Sequence, residues 1–199
     1  MAAKLVLSDI ADQRAYERER PEFRAAIIAL KKRRRVHVGP ILTLLFENRD
    51  TIRFQIQEMA RVEKLTTDGA IQNELDTYNP LIPGAGQLCA TVFIELTSEA
   101  ELREWLPLLV GIEQSLLLVL GEGPDSVQVR AITEEAHAGQ LTREEMTASV
   151  HYVRWELTPE QVEMVTSGPV SAAADHAAYS HHSALSPAAI AELSADLRG

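Results

Sequence analysis

At 199 residues, 46% of them apolar and 24% charged, the chain is long enough for one well-buried core and too apolar for wholesale disorder. A formal net charge of −10 argues against a long nucleic-acid footprint, and no stretch approaches the roughly 18 apolar residues of a membrane helix. The single cysteine, Cys89, cannot form an internal disulfide, which suits a reducing cytosol, and the N-terminus does not read as a secretory signal.

The charge is split along the chain. Through Lys64 there are 14 Lys/Arg against 9 Asp/Glu, whereas the remaining residues hold 5 against 20. Such a division can orient a partner or a second copy of the chain, as in a homo-oligomer.

In chain order, Ser8 reads as the cap of a first helix over Asp9–Glu19, and Pro21 as the first position of a second. The second ends in Lys31-Lys32-Arg33-Arg34-Arg35, cations that suit a helix C-terminus. Val36–Val38 and Ile41–Phe46 read as strands broken at Gly39-Pro40. Asn48 or Asp50 caps a helix over Arg49–Lys64. Thr67 caps another over Asp68–Tyr78, with Ile71, Leu75 and Tyr78 on one face, and Asn79-Pro80 stops it. Gln87–Leu96 is the clearest strand. Ser98-x-x-Glu101 opens a helix, and Ser115–Leu120 with Val127–Ile132 reads as a hairpin. A polar stretch with a Thr142-x-x-Glu145 box precedes a strand over Ser149–Leu157 and a short helix capped by Thr158. Val170–His176 and His181–Leu185 form a last strand pair, and Ser186-Pro187 opens the final helix.

This pattern predicts a single α+β domain over residues 1–199, with a mixed, largely antiparallel sheet and helices packed on it. An N-terminal helical pair (1–34) precedes an α+β body (35–199).

No hydrolase elbow, phosphate loop, C-x-x-C or H-E-x-x-H signature is present. Two groups of residues carry candidate chemistry. The first is a central polar cluster of Glu47, Asn48, Arg49, Gln57, Glu58, Glu74, Tyr78 and Asn79. Two carboxylates with a tyrosine and an arginine can bind a cation or do acid–base work, or can hold two helices on a sheet as an ion-pair network. The second is Asp175-His176-Ala177-Ala178-Tyr179-Ser180-His181-His182. If Ala177–Ser180 is a four-residue turn, His176 and His181 face each other across two strands. They could then hold zinc or iron, with Asp175 or Tyr179 completing the site.

Several segments carry a resemblance. They are Tyr16-Glu17-Arg18-x-Arg20-Pro21 with Ala29-Leu30-Lys31, Arg35-Val36-x-Val38-Gly39-Pro40, Phe46-Glu47-Asn48-Arg49, Gln57-Glu58-Met59, and Glu74-Leu75-x-x-Tyr78-Asn79-Pro80-Leu81-Ile82-Pro83. Ser149-Val150, Leu157-Thr158 and His176-x-x-Tyr179-x-His181 continue it. Together they resemble an uncharacterised bacterial family catalogued as a domain of unknown function, DUF3501. Family members often carry proline where this chain has Ala177. The resemblance implies a cytosolic bacterial protein whose genes lie beside those for rubrerythrin and iron–sulfur oxidoreductases, hence peroxide or iron-linked redox physiology. The function expected is therefore an accessory protein of such a system, binding a metal ion or a redox partner. A small enzyme with a pocket at Arg49, Glu58, Glu74 and Tyr78 is the alternative. RNA contact through Lys31–Arg35 is a third.

Overall fold

The computed structural model of the chain describes residues 3–133 and 146–198, so the predicted Thr142-x-x-Glu145 cap lies outside the described residues. The elements are α1 (Gln13–Arg34), β1 (Arg35–Val38), β2 (Leu42–Glu47), α2 (Arg49–Val62), α3 (Asp68–Tyr78), β3 (Gln87–Ile94), α4 (Glu99–Leu108), β4 (Leu116–Leu120) and β5 (Val127–Arg130). They continue as β6 (Ile132–Thr133), β7 (Val150–Glu156), α5 (Pro159–Ser167), β8 (Val170–His176), β9 (Tyr179–Ala184) and α6 (Pro187–Arg198).

The fold is α+β. Its strands form two sheets, ordered β1-β2-β3-β7-β6 and β5-β4-β8-β9, and every pairing between strands is antiparallel. The predicted hairpin joins β4 to β5, whereas β6, only two residues later, pairs with β7 in the other sheet.

Alternation along the strands decides the layers. Leu42, Leu44 and Phe46 of β2, Leu88, Ala90 and Val92 of β3, and Val153 and Trp155 of β7 share one core with Leu116, Leu118 and Leu120 of β4 and Val170, Ala172 and Ala174 of β8. The opposite face of the first sheet lies under α2 and α3, where Ile52, Ile56, Leu75, Leu81 and Ile82 make a second, smaller core touched by Tyr152.

The N-terminal helical pair is corrected to one continuous helix. Asp12, not Ser8, caps α1 by accepting from the Ala15 amide, and Leu7–Asp9 is a single 3-10 turn. Pro21 sits inside α1. Its ring leaves the Glu17 carbonyl without an amide partner, but Glu17 and Pro21 are exposed, so water can replace that bond. Tyr16 is buried before Pro21 and Ile27 and Arg34 after it, so both halves of the helix are anchored against the rest of the fold. Packing outweighs the local break.

Gly39 shows why the two sheets can meet closely. It has φ +74°, and a Cβ there would lie 2.5 Å from the Tyr179 hydroxyl oxygen and from His181 Cγ. Any larger residue would push the β1–β2 turn off β9.

Candidate functional site

Helix α2 carries most of the predicted cluster, and its own start uses one member. The Asn48 side chain accepts from the Asp50 and Thr51 amides, while the Thr51 hydroxyl accepts from the Asn48 amide. Asn48 is therefore a cap.

Between two and three turns further along α2, Glu58 is enclosed by donors. The Tyr16 hydroxyl and Arg20 Nε reach its Oε1, each at 2.7 Å, and Arg20 and Arg61 reach Oε2 at 3.0 and 3.1 Å. The Arg20 bond, helped by Tyr16 and Arg61, holds the Glu58 carboxyl down at about 2 against the opposing effect of burial. Burial and the neighbouring carboxylate push the Tyr16 hydroxyl well above its ordinary value. A carboxylate so stabilised is a poor base, and a hydroxyl so raised stays protonated.

Three more members of the cluster hold the N-terminal segment. The Asn79 side chain pairs with both the amide and the carbonyl of Leu5, each at 2.9 Å, and the Gln57 amide does the same with Ala11. Arg49 pairs with Asp9 at 2.8 Å and with the Ala3 carbonyl. Residues 3–12 thus form a strap across α2 and the end of α3.

Glu74 and Tyr78 belong to a different neighbourhood. Burial raises both, with the Glu63 charge adding to the effect, and Tyr78 bonds Gln55. The predicted meeting of Arg49, Glu58, Glu74 and Tyr78 is corrected: Glu58 turns toward α1, Arg49 toward the strap, and the other two toward Gln55 and Glu63. A helix presents its polar residues in several directions, and spacing alone does not say which of them a neighbour will cover.

Glu47 is the most deeply buried carboxylate of the cluster. Its Oε1 accepts from the Thr91 hydroxyl at 2.6 Å, and its Oε2 has no hydrogen-bond partner among the described residues. Across the sheet, Glu47 faces Cys89 and Thr91 faces Tyr152. Tyr152 is pushed up to about 12 by burial first, then by Tyr78 and Glu47. Thr91 and Tyr152 join this group only through strand register, so sequence reasoning had no signal for them.

The histidine motif is also corrected. The turn after β8 has two residues, Ala177-Ala178, so His176 faces Tyr179 and His181 faces Ala174. His176 Nε2 donates to the Val110 carbonyl, and its Nδ1 accepts from the Ala178 amide. Asp175 is held by Arg130 at 2.7 Å, and the Tyr179 hydroxyl donates to the Val38 carbonyl. Among the described residues no group of three or more His, Cys, Asp or Glu side chains converges as metal ligands would.

The arginines of the basic run have carboxylate partners, whereas Lys32 is exposed. Arg33 bonds Glu192, and Arg35 lies 4.0 Å from Glu95. Arg34 is wholly buried, bonded to Glu192, Asp196 and the carbonyls of Phe46 and Glu47.

Two features escaped the sequence reading. In the main core His151 lies between Glu113, 4.0 Å from its Nδ1, and the Thr147 hydroxyl, 2.8 Å from its Nε2. A cleft of about 360 Å³ opens between the strap with the start of α1 and the facing parts of α2 and α3.

The family described as "Protein of unknown function (DUF3501)" matches residues 4–197. A solved structure, described as a novel protein of unknown function from Burkholderia pseudomallei K96243, is 38% identical, with a TM-score of 0.88. The match covers 98% of this chain and 100% of that one. No curated protein matches the chain. With the family spanning nearly every residue and a relative of the same fold at this identity, the chain belongs to the DUF3501 family.

Proposed function

We propose that the chain is a cytoplasmic accessory protein of a bacterial iron-linked redox system, acting by binding a redox protein rather than by catalysis. The observation that carries this reading is the closure of the central cluster: Glu58 is neutralised by Arg20 and Arg61, and Asn48, Gln57 and Asn79 are spent on backbone. Polar groups spent on the chain's own structure support a scaffold, and the redox assignment draws on the neighbourhood of rubrerythrin and iron–sulfur oxidoreductase genes implied by the resemblance. Of the two ligands expected, a redox protein fits better than zinc or iron, because Asp175, His176 and Tyr179 have other partners. The alternative, a small enzyme, would draw on the cleft beside Tyr16 and Arg61 instead of the predicted pocket. RNA contact loses support from the pairing of Arg33, Arg34 and Arg35.

Sedimentation velocity of the purified chain mixed with purified rubrerythrin, and separately with an iron–sulfur oxidoreductase from the same bacterium, tests the proposal. A faster-sedimenting complex with either one is expected. Independent sedimentation of all three at tens of micromolar would sink it.

A further inference from the structure

We infer that the groove beneath the N-terminal strap is a docking site for the strap of a second copy of the chain, so that two copies can exchange straps and close as a two-fold dimer. The inference does not rest on the redox reading and would stand if no other protein bound.

The groove holds the strap mainly by its backbone. The Asn79 side chain accepts from the Leu5 amide and donates to the Leu5 carbonyl, and Gln57 does the same for Ala11. Arg49 donates to the Ala3 carbonyl and Arg53 to the Asp9 carbonyl. A side-chain amide that pairs with both the N–H and the C=O of one residue imitates a neighbouring strand. Main-chain bonds of that kind also hold extended peptides between separate chains.

Three side chains of the strap add selection. Leu5, only 2% exposed, packs into the second core with Ile52, Ile56, Leu75, Leu81 and Ile82. The Lys4 ammonium donates to the Asn79 and Ile82 carbonyls, and Asp9 pairs with Arg49. The segment whose chemistry meets all of these is the strap itself, which every copy carries. A second copy is therefore the partner.

The strap is separable from the body. Its bonds come from α2 and from the turn after α3, whereas α1 is anchored on its own account: Tyr16 and Arg20 bond Glu58, and Arg34 bonds Glu192. Asp12 keeps α1 capped through the Ala15 amide. Release of the strap at Ala11–Asp12 thus leaves α1 in place and uncovers the apolar seat of Leu5. An identical strap from a second copy restores the contacts that release removes, so exchange costs little beyond association itself. Within one chain the tether gives the strap an effective concentration on the order of millimolar. Exchange therefore takes over at comparable protein concentration, or when a chain's own strap cannot dock.

The test mixes two full-length variants. Leu5→Asp has a groove that its own strap cannot fill, and Gln57→Ala/Asn79→Ala has a strap that its own groove cannot clamp. Sedimentation velocity at tens of micromolar should show a 1:1 complex in the mixture, at least tenfold tighter than the self-association of either variant. Hydrogen exchange at residues 4–6 of the clamp-deficient chain should slow on mixing, because its strap then lies in a clamped groove. Leu5→Ala, which merely underfills the apolar seat, replaces Leu5→Asp if that variant does not fold. No complex, a complex without slowed exchange at residues 4–6, or either variant associating as strongly with itself would overturn the inference. So would purified rubrerythrin binding the Leu5→Asp chain in place of the second variant, which would assign the groove to a redox partner.

Discussion

At the scale of single residues, the ionisable groups carry signed expectations about pH. Glu58 is depressed from 4.5 to about 2, so its contribution to stability is present above about 4.5 and is lost as pH falls toward 2. Its side chain keeps 21% exposure and its partners about 29%, so solvent screening reduces the bare linkage value. Glu58→Gln should cost about 1–2 kcal/mol at pH 7 and flatten the loss of stability below pH 4.5. Urea denaturation across pH 2.5–7 checks this, and a variant curve parallel to the parent's would refute it. His151 is also lowered, by burial first and against the pull of Glu113. A depressed histidine contributes fully above about 6.5, and that contribution fades as pH falls below it. The folded chain should thus lose stability between pH 7 and 5.5, and His151→Gln should lose less over the same interval.

At the scale of elements, the strap and the broken-looking helix are the parts to probe. Asn79 supplies a side-chain amide that mimics a strand neighbour for Leu5, and Leu5 is itself buried. Asn79→Ala should remove both bonds, cost about 1–2 kcal/mol, and speed hydrogen exchange at residues 4–6 well before the sheets respond. Uniform protection in the variant would mean that the strap is held by packing alone. Under α3, Leu75 is fully buried, and Leu75→Ala should cost about 2–5 kcal/mol. Pro21 offers the reverse experiment. Alanine there restores an amide for the Glu17 carbonyl at the cost of some unfolded-state entropy, so Pro21→Ala should stabilise by about 1 kcal/mol. A loss of stability would argue that α1 bends at Pro21 to make its contacts.

At the scale of the molecule, the charge split becomes an internal contact. The basic end of α1 meets the acidic α6: Arg34 bonds Glu192 and Asp196, and Arg33 bonds Glu192. Burial raises the Asp196 carboxyl in spite of the bond from Arg34. Arg34→Ala should therefore cost about 3–5 kcal/mol, because it strands buried acceptors, whereas Lys32→Gln at an exposed position should stay within about half a kcal/mol. Chemical denaturation of the two variants side by side decides between this buried bridge and a solvated basic face.

The elements that local chemistry specifies were legible without coordinates. Thr67 and Pro80 bracket α3, Asn48 opens α2, Ser98 and Thr158 open α4 and α5, and alternation marks β3 and β7, because caps, proline and strand periodicity act within a few residues. Tertiary contacts settled the rest. Pro21 did not end a helix, because buried residues on both sides outweighed one missing bond. The β8–β9 turn took two residues instead of four, so that Tyr179 could reach the Val38 carbonyl and His181 could lie against Gly39. The residues expected to form one polar cluster lie instead in separate neighbourhoods, each set by distant partners. Glu58 pairs with residues 38 and 42 places away, Asn79 with one 74 away, and Arg34 with one 162 away. Whether a buried polar side chain becomes a site or a strut depends on such distant partners, which the fold supplies and a local pattern cannot name.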